Sequence, residues 1–381
     1  MYIFRFIIME TGKKKTILFL FYRECTFLPP FMTILDSLCE DYSLKVICCE
    51  TEGGQKHLDE YYKNKDVHFL CGVRQENNHS IKVRLQRRFN LRREASNKFK
   101  NEAEKLINTT YYDLLWVIHE QTAYEFRNFL LGKKYIMSFY ELNDHRLGFL
   151  NTIEPIVKGA DEVFVPEYNR ACILRTWLKL KVTPTVIPNK PLGHPRNRNI
   201  PNSYSSQLEG KKIILYQGYI VRSRNVDKVC EAVKDMPEYC VVLMGKGDDS
   251  YINELKKKYP QILHIPFIAP PEHLYVTSWA HIAIVKYDFV YLNAIFCAPN
   301  KTWEYTGFDV PVLCHDIPGL RYTIGQYKAG VCTDMDDTAA IKVAIKDIDK
   351  NYPEYSNNAR VYYESYDIKK ELYQIVSKNI K

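Results

Sequence analysis

Ala298-Pro-Asn-Lys-Thr-Trp-Glu-Tyr-Thr-Gly-Phe-Asp-Val-Pro-Val-Leu313 is the most informative stretch of this 381-residue chain. Pro299 and Asn300 are residues that start helices and Gly307 is one that ends them. Val310–Cys314 is a short β-rich run, so the stretch predicts one helix feeding one strand. Lys301 and Glu304 are three apart and project from one face of the first turn. A helix N-terminus carries partial positive charge and free N–H groups that bind phosphate, and Lys301 adds a full charge. Glu304, one turn further in, can accept hydrogen bonds from two ribose hydroxyls. The competing interpretation is an i,i+3 ion pair on a solvated helix face, worth about 0.2–0.5 kcal/mol.

Outward from this stretch, short β-rich apolar runs alternate with longer amphipathic ones. That pattern specifies strands joined by crossover helices, hence an α/β fold with parallel sheets. In the first half the predicted strands are Thr16–Tyr22, Leu44–Cys49, Val67–Leu70, Leu114–His119, Tyr135–Tyr140, Asp161–Val165 and Thr185–Ile187. The second half repeats the alternation with Lys212–Gln217, Cys240–Met244, Ile262–Ile265, Ile282–Lys286, Val310–Cys314 and Gly330–Cys332. Between them Pro188, Pro191, Pro195 and Pro201 stand among Asn, Ser and Gly, a composition expected to hold neither a helix nor a central strand. The expected organisation is a Rossmann-like domain over residues 1–190, a linker over 191–208, and a second Rossmann-like domain over 209–352. Helices over 353–381 are expected to pack back across the domain junction. Two doubly wound domains would face a cleft at the carboxyl ends of their strands.

Composition excludes other classes. Hydrophobic residues make up 46% and charged residues 26%, ordinary globular usage that gives no support to a disordered, collagen-like or coiled-coil chain. The formal net charge of +8 favours an anionic partner. Eleven cysteines, without a CxxC pair and mostly inside apolar runs, predict buried free thiols in a reducing compartment. The N-terminal MYIFRFIIMETGKKK places its apolar run before its basic residues, the reverse of a secretory signal, and either Met1 or Met9 can serve as the start. No apolar run approaches the ~18 residues that span a bilayer.

Several chemistries are missing from the sequence. Neither Gly12-Lys13 nor Gly245-Lys246 has the glycine spacing of a P-loop. Gly245-Lys-Gly-Asp-Asp-Ser250 lacks the third glycine of a dinucleotide fingerprint and follows the second strand of its domain. His119-Glu120 has no second His at helical spacing, and no GxSxG elbow exists. Asp334-Met-Asp336 matches a DxD metal motif, but it directly precedes a predicted helix, where acidic residues commonly act as caps.

The pattern PNK-x-x-EY-x-G-x-x-x-PV resembles the donor-site helix of the GT-B nucleotide-sugar glycosyltransferases, in particular the family-four type of bacterial polysaccharide and lipid glycosylation. Leu215-Tyr-Gln-Gly-Tyr-Ile-Val-Arg-Ser-Arg-Asn225 resembles the glycine turn that opens the family's C-terminal domain. Asp161-Glu-Val-Phe-Val-Pro-Glu-Tyr-Asn-Arg170 and Val186-Ile-Pro-Asn189 resemble the end of its N-terminal domain. The family usually carries a Glu eight positions before the one matched by Glu304, where this chain has Phe296. Its glycine turn is often followed by Arg, where this chain has Tyr219.

The resemblance implies a glycosyltransferase of hexosyltransferase type that moves a sugar from a UDP or GDP donor to a glycan or lipid-linked acceptor in surface polysaccharide synthesis. Gly218, Arg224 and Lys301 would meet the donor diphosphate, with Arg222 in place of the absent Arg, Glu304 would receive the ribose hydroxyls, and Asn300 would belong to the same nucleotide-sugar site. Ile268, in the loop Pro266–Pro270, would meet the base. His119 would contact the donor sugar, and Glu141 with Asp144 would orient an acceptor hydroxyl or act as base. No cofactor and no metal are implied, because Arg, Lys and helix dipole offset the leaving diphosphate's charge. Retention at the anomeric carbon is implied as well. The alternatives are a nucleotide-sugar 2-epimerase on the same fold and a non-enzymatic, basic membrane- or polyanion-binding protein.

Ile81–Lys100 carries eight basic residues against Glu94 and so holds most of the net charge. Among them Arg84, Arg87, Arg88, Arg92 and Arg93 accompany a broken apolar stripe, the pattern of a helix lying on an anionic membrane surface. The expected partners are a nucleotide-sugar donor, such an acceptor and that surface, without nucleic acid. The expected location is the cytoplasm, peripheral to the inner face of the membrane.

Overall fold

The computed structural model describes residues 14–70, 72–73, 84–193, 200–268 and 270–380, with side chains from Ser96 onward in the helix that begins at Arg84. Met1, Met9, Cys71, Lys82, Pro195 and Ala269 lie outside the described residues.

Fourteen strands are described: Thr16–Phe21 (β1), Ser43–Glu50 (β2), Val67–Phe69 (β3), Gly72–Val73 (β4), Leu114–Ile118 (β5), Ile136–Ser138 (β6), Glu162–Val165 (β7), Thr185–Val186 (β8), Lys212–Gln217 (β9), Tyr239–Met244 (β10), Ile262–Ile265 (β11), Ile282–Val285 (β12), Val312–His315 (β13) and Gly330–Thr333 (β14). They form two sheets, ordered β3-β2-β1-β5-β6-β7-β8 with β4 beside β2, and β11-β10-β9-β12-β13-β14. The described ladders are parallel in both. The α/β class with two doubly wound sheets is therefore as the sequence predicts. Only β4, two residues long, falls outside the expected runs.

The reason these runs become central strands is burial on both faces. Every residue of β1 and β10 is buried, which a parallel sheet covered by helices on both sides requires. In the second sheet the period of two is visible in the packing. Ile213, Leu215, Cys240, Val242 and Met244 enter one hydrophobic core, while Ile214, Tyr216, Tyr239, Val241 and Leu243 enter the other. The crossover helices begin where short polar side chains cap them. Thr51 accepts from the Gly54 amide, and Asp248 accepts from the amides of Ser250 and Tyr251.

The chain forms two compact units. One comprises Met1–Ser138, Ile153–Val163 and Leu372–Lys381, the other Phe139–Thr152 and Phe164–Glu371. The proline-rich segment departs from expectation, because Asn202–Leu208 is helical. Pro201 is its N-cap, so the prolines all precede the helix, where a missing N–H costs nothing. The C-terminal segment forms two helices, Tyr352–Glu364 and Ile368–Asn379. The ten described cysteines are free thiols, eight of them buried.

Candidate functional site

In the second sheet the chain order reverses between β9 and β12, and the loops leaving these two strands diverge there. Ligands of doubly wound sheets bind in the crevice that results at the carboxyl ends. Gly218 directly follows β9 with a φ of 136°, in the region only glycine enters without strain. Gly245, after β10, has a φ of 143°, and a Cβ there would come within 1.9 Å of the Gly218 carbonyl oxygen. The turns after β9 and β10 are thus in backbone contact.

The next turn, Arg222–Arg224, sends its two arginines different ways. Arg224 Nη1 donates to the Lys286 carbonyl just beyond β12 at 3.2 Å, and its guanidinium lies 4.7 Å from the Tyr287 ring centroid. Arg224 therefore spans the point where the strand order reverses. Arg222 instead forms a two-pronged pair with Glu254, and its side chain is 59% exposed. Exposed pairs of this kind contribute little, about 0–1 kcal/mol.

Lys301 and Glu304 come from the helix Asn300–Thr306, whose N-cap is Pro299. At seven residues its dipole is a minor contribution, so the charge at this place comes from side chains. Lys301 Nζ stands directly over Gly218: a Cβ on that glycine would lie 2.7 Å from it. The same ammonium is 5.2 Å from the Tyr216 ring centroid. Burial, reinforced by the neighbouring Arg224 charge, lowers the Lys301 ammonium to about 8. Among the described residues no carboxylate is within ion-pair distance of Lys301 or Arg224.

Glu304 is buried, and it is not the solvated partner of Lys301 that the i,i+3 alternative supposes. Its Oε2 accepts from Gln217 Nε2, and its Oε1 lies 3.3 Å from His273 Nε2. Gln217 Oε1 in turn accepts from Thr277 Oγ1 at 2.8 Å. Behind the helix, Trp303 stacks on Tyr362 with centroids 4.3 Å apart. Asn189 Nδ2 donates to the Ala298 carbonyl at 2.8 Å, which fixes the approach to the helix. Gly218, Arg224, Lys301 and Glu304 thus converge, with Asn300 on the first turn of the same helix. Ile268 is half-buried against the core behind the sheet.

Glu141 and Asp144 hold structure together. Glu141 Oε2 accepts from Asn293 Nδ2 at 2.5 Å and lies 3.7 Å from Arg170 Nη1, while Asp144 Oδ2 accepts from the Leu292 amide at 2.6 Å. Buried Arg170 donates to the carbonyls of Phe296, Tyr140 and Asn293. The residue at the family's missing Glu position, Phe296, is therefore anchored through its backbone.

In the first unit, His119 follows β5 where the strand order reverses between β1 and β5. Its φ is 77°, costly for a residue with a Cβ. Nδ1 accepts from the Gln121 amide at 3.1 Å, so the neutral ring carries its proton on Nε2. The backbone of Arg84–Thr109 is one helix, as the basic segment predicts. The side chains of Arg84, Arg87, Arg88, Arg92 and Arg93 lie outside the described ones.

The aspartates of Asp334-Met-Asp336 have separate jobs. Asp337, not either of them, caps the helix Thr338–Lys350. Asp334 Oδ1 accepts from the Asp336 amide at 2.8 Å. Asp336 Oδ1 accepts from Asn225 Nδ2 at 2.7 Å and from Lys286 Nζ. Burial raises the Asp336 carboxyl, but these hydrogen bonds outweigh it and hold the group below its usual range. Asp288, His315 and Asp336 place potential ligand atoms within 4.8 Å of one another. The Lys286 ammonium already sits on both carboxylates of that set.

Sequence reasoning missed Gln217, His273 and Thr277 around Glu304, and Arg170 beneath the site. Gln217 was visible as a polar residue ending a buried strand. His273 and Thr277, at i,i+4 on a short helix, carried no signal of their own.

The sequence matches no protein-family model and no curated protein. Its structure is similar to that of sucrose-phosphate synthase from Thermosynechococcus elongatus, at 16% identity, covering 96% of this chain and 99% of that one, with a TM-score of 0.67. HepE from Anabaena, solved in complex with UDP-glucose, is similar at 13% identity, with 95% and 99% covered and a TM-score of 0.67. WaaG, a glycosyltransferase involved in lipopolysaccharide biosynthesis, is similar at 11% identity, with 95% and 99% covered and a TM-score of 0.59. At these identities the likeness is one of fold, and the fold is GT-B.

Proposed function

We propose that this chain is a glycosyltransferase that takes its sugar from a nucleoside-diphosphate donor bound at the carboxyl ends of β9 and β12. One observation carries the proposal: Lys301 and Arg224 are two cations brought to Gly218, and among the described residues neither has a carboxylate within ion-pair distance, Glu304 acting on Lys301 only from further off. Keeping an unpaired ammonium half-buried beside a guanidinium is unfavourable, as the lowered Lys301 ammonium records. A bound diphosphate would relieve both charges. UDP is the proposed carrier, since the structurally similar HepE binds UDP-glucose.

In the reaction, the bond between the anomeric carbon and the diphosphate oxygen breaks as the acceptor oxygen bonds to that carbon, and the acceptor's hydroxyl proton leaves with the departing diphosphate. Lys301 and Arg224 stabilise the negative charge that collects on the leaving diphosphate. Because two side-chain cations supply this charge, metal independence is proposed. Glu304, aimed by Gln217 and His273, receives the ribose hydroxyls. Retention, a His119 contact with the donor sugar, and acceptor roles for Glu141 and Asp144 belong to the same proposal.

A glycan or lipid-linked acceptor of surface polysaccharide synthesis is proposed from the WaaG likeness and the basic helix Arg84–Thr109. Peripheral attachment to an anionic inner membrane face goes with it. No helix among the described residues is long and apolar enough to cross a membrane. Thermal-shift screening against UDP-, GDP-, CMP- and dTDP-sugars tests the donor. Stabilisation by one class, with slow turnover of that donor, supports the proposal. No shift with any of them contradicts it.

A further inference from the structure

The second aspartate of the DxD-like motif has a connection that neither a cap nor a metal site explains. Asp336 grips two segments at once. Its Oδ1 accepts from Asn225 Nδ2 at 2.7 Å, and also from Lys286 Nζ. Asn225 is the residue immediately after Arg224 and sits in the left-handed region with a φ of 43°. Lys286 carries the carbonyl that accepts from Arg224 Nη1. The neighbour of Arg224 in the chain and the residue whose carbonyl its guanidinium meets are therefore both fastened to one carboxylate, more than a hundred positions along the chain from the turn.

The energetics favour a deliberate arrangement. Lys286 is buried, with Asp336 and Asp288 as its ion-pair partners, so Asp336 carries much of what makes that burial tolerable. A left-handed asparagine costs about 1 kcal/mol unless something holds it, and the hydrogen bond that its side-chain amide donates to Asp336 does so. His315 Nδ1 lies 2.6 Å from the Tyr287 carbonyl and steadies the same strand end from the other side. The guanidinium of Arg224 rests against the Tyr287 ring.

We propose that Asp336 is a positioning residue of the donor site: by holding Asn225 and Lys286 together it sets Arg224 where the donor diphosphate arrives. The inference rests on the donor reading of Lys301 and Arg224 and adds a residue to it. In this proposal Asp336 itself makes no contact with the donor. It acts through Arg224, and its loss and the loss of Arg224 must therefore overlap.

The test is isothermal titration of UDP and of GDP into the full chain, with EDTA present and then with magnesium. The proteins compared are wild type, Arg224→Ala, Asp336→Ala, Asn225→Gly and the Arg224→Ala/Asp336→Ala double variant. Asn225→Gly keeps the left-handed backbone accessible and removes only the tether, so it carries the test even if Asp336→Ala unfolds. Arg224→Ala is expected to weaken binding by about tenfold or more, as loss of a charged phosphate contact does. Asp336→Ala and Asn225→Gly should each come within about threefold of that loss, and the double variant should fall no more than about twofold below Arg224→Ala alone.

Unchanged binding in both tether variants overturns the proposal, as do losses that multiply in the double variant. Wild-type binding that EDTA abolishes also overturns it, because the donor's charge is then met by a metal ion. A wild type that binds neither UDP nor GDP is a different failure, since it removes the donor site itself and the inference with it.

Discussion

The two sheets reverse their strand order in the same manner, between β1 and β5 in the first and between β9 and β12 in the second, yet the side chains at the two reversals are arranged oppositely. At the first, polar groups are mutually satisfied. The Tyr22 amide donates to Thr122 Oγ1 at 3.0 Å, His119 Nδ1 accepts from the Gln121 amide, and nearby Lys100 pairs with Glu125 at 3.1 Å. At the second, Lys301 and Arg224 converge, and among the described residues no carboxylate is within ion-pair distance of either. Topology offers a crevice in both places, and at the second two cations meet whose charge the proposed diphosphate would complete. The lesson is that placement of cations, more than fold, distinguishes the two reversals, and it is why the diphosphate is proposed at the second.

The sharpest way to break that contrast is Lys301→Ala. It should lower donor kcat/KM by on the order of 100-fold or more, comparable to loss of a preorganised group that stabilises the developing charge. The thermal midpoint should hold or rise, because an unpaired, half-buried charge is removed. Glu304→Ala is expected next, at about 10- to 100-fold in donor KM. Unlike Lys301→Ala it should also cost about 1–3 kcal/mol in denaturant titration, since Gln217 and His273 lose their partner.

Acidity gives a third handle. Because the Lys301 ammonium lies at about 8, donor affinity should be full below that pH and fall as pH rises through it. Stability moves the other way. The unfolded chain holds this proton more tightly than the folded one, so stability contributed by this group rises between about pH 8 and the ordinary lysine value of 10.5. Measuring both in parallel separates a ligand effect from unfolding.

The smallest effect sharpens the comparison inside one turn. Arg222→Ala should change donor turnover by less than about twofold and stability by under about 1 kcal/mol, since Arg222 spends itself on exposed Glu254. Equal losses for Arg222→Ala and Arg224→Ala would erase the distinction between a paired and an unpaired arginine.

Much of this was legible in the sequence. β1 and β10 are continuous apolar runs, and burial on both faces admits little else. The helix with Lys301 and Glu304 was bounded correctly by Pro299 and Gly307, because both act through local backbone geometry. Where the sequence was silent, long-range partners decided. Nothing local tells that Arg222 meets Glu254 while Arg224 meets the Lys286 carbonyl, or that Glu304 would be held by Gln217 and His273. The helix Asn202–Leu208 was missed for a different reason: four prolines were weighed as composition, although each stands before the helix and none within it. Asp336 looked like a cap because it precedes a helix, but the capping oxygen belongs to Asp337, which left Asp336 to reach across to Asn225 and Lys286.

Calorimetric titration of UDP into wild type and Lys301→Ala at pH 7 decides most directly whether the cations at β9 and β12 form a donor site. Saturable binding by wild type, with a loss of at least about tenfold in the equally well-folded Lys301→Ala, is the predicted result. Equal affinity in the two proteins would contradict it.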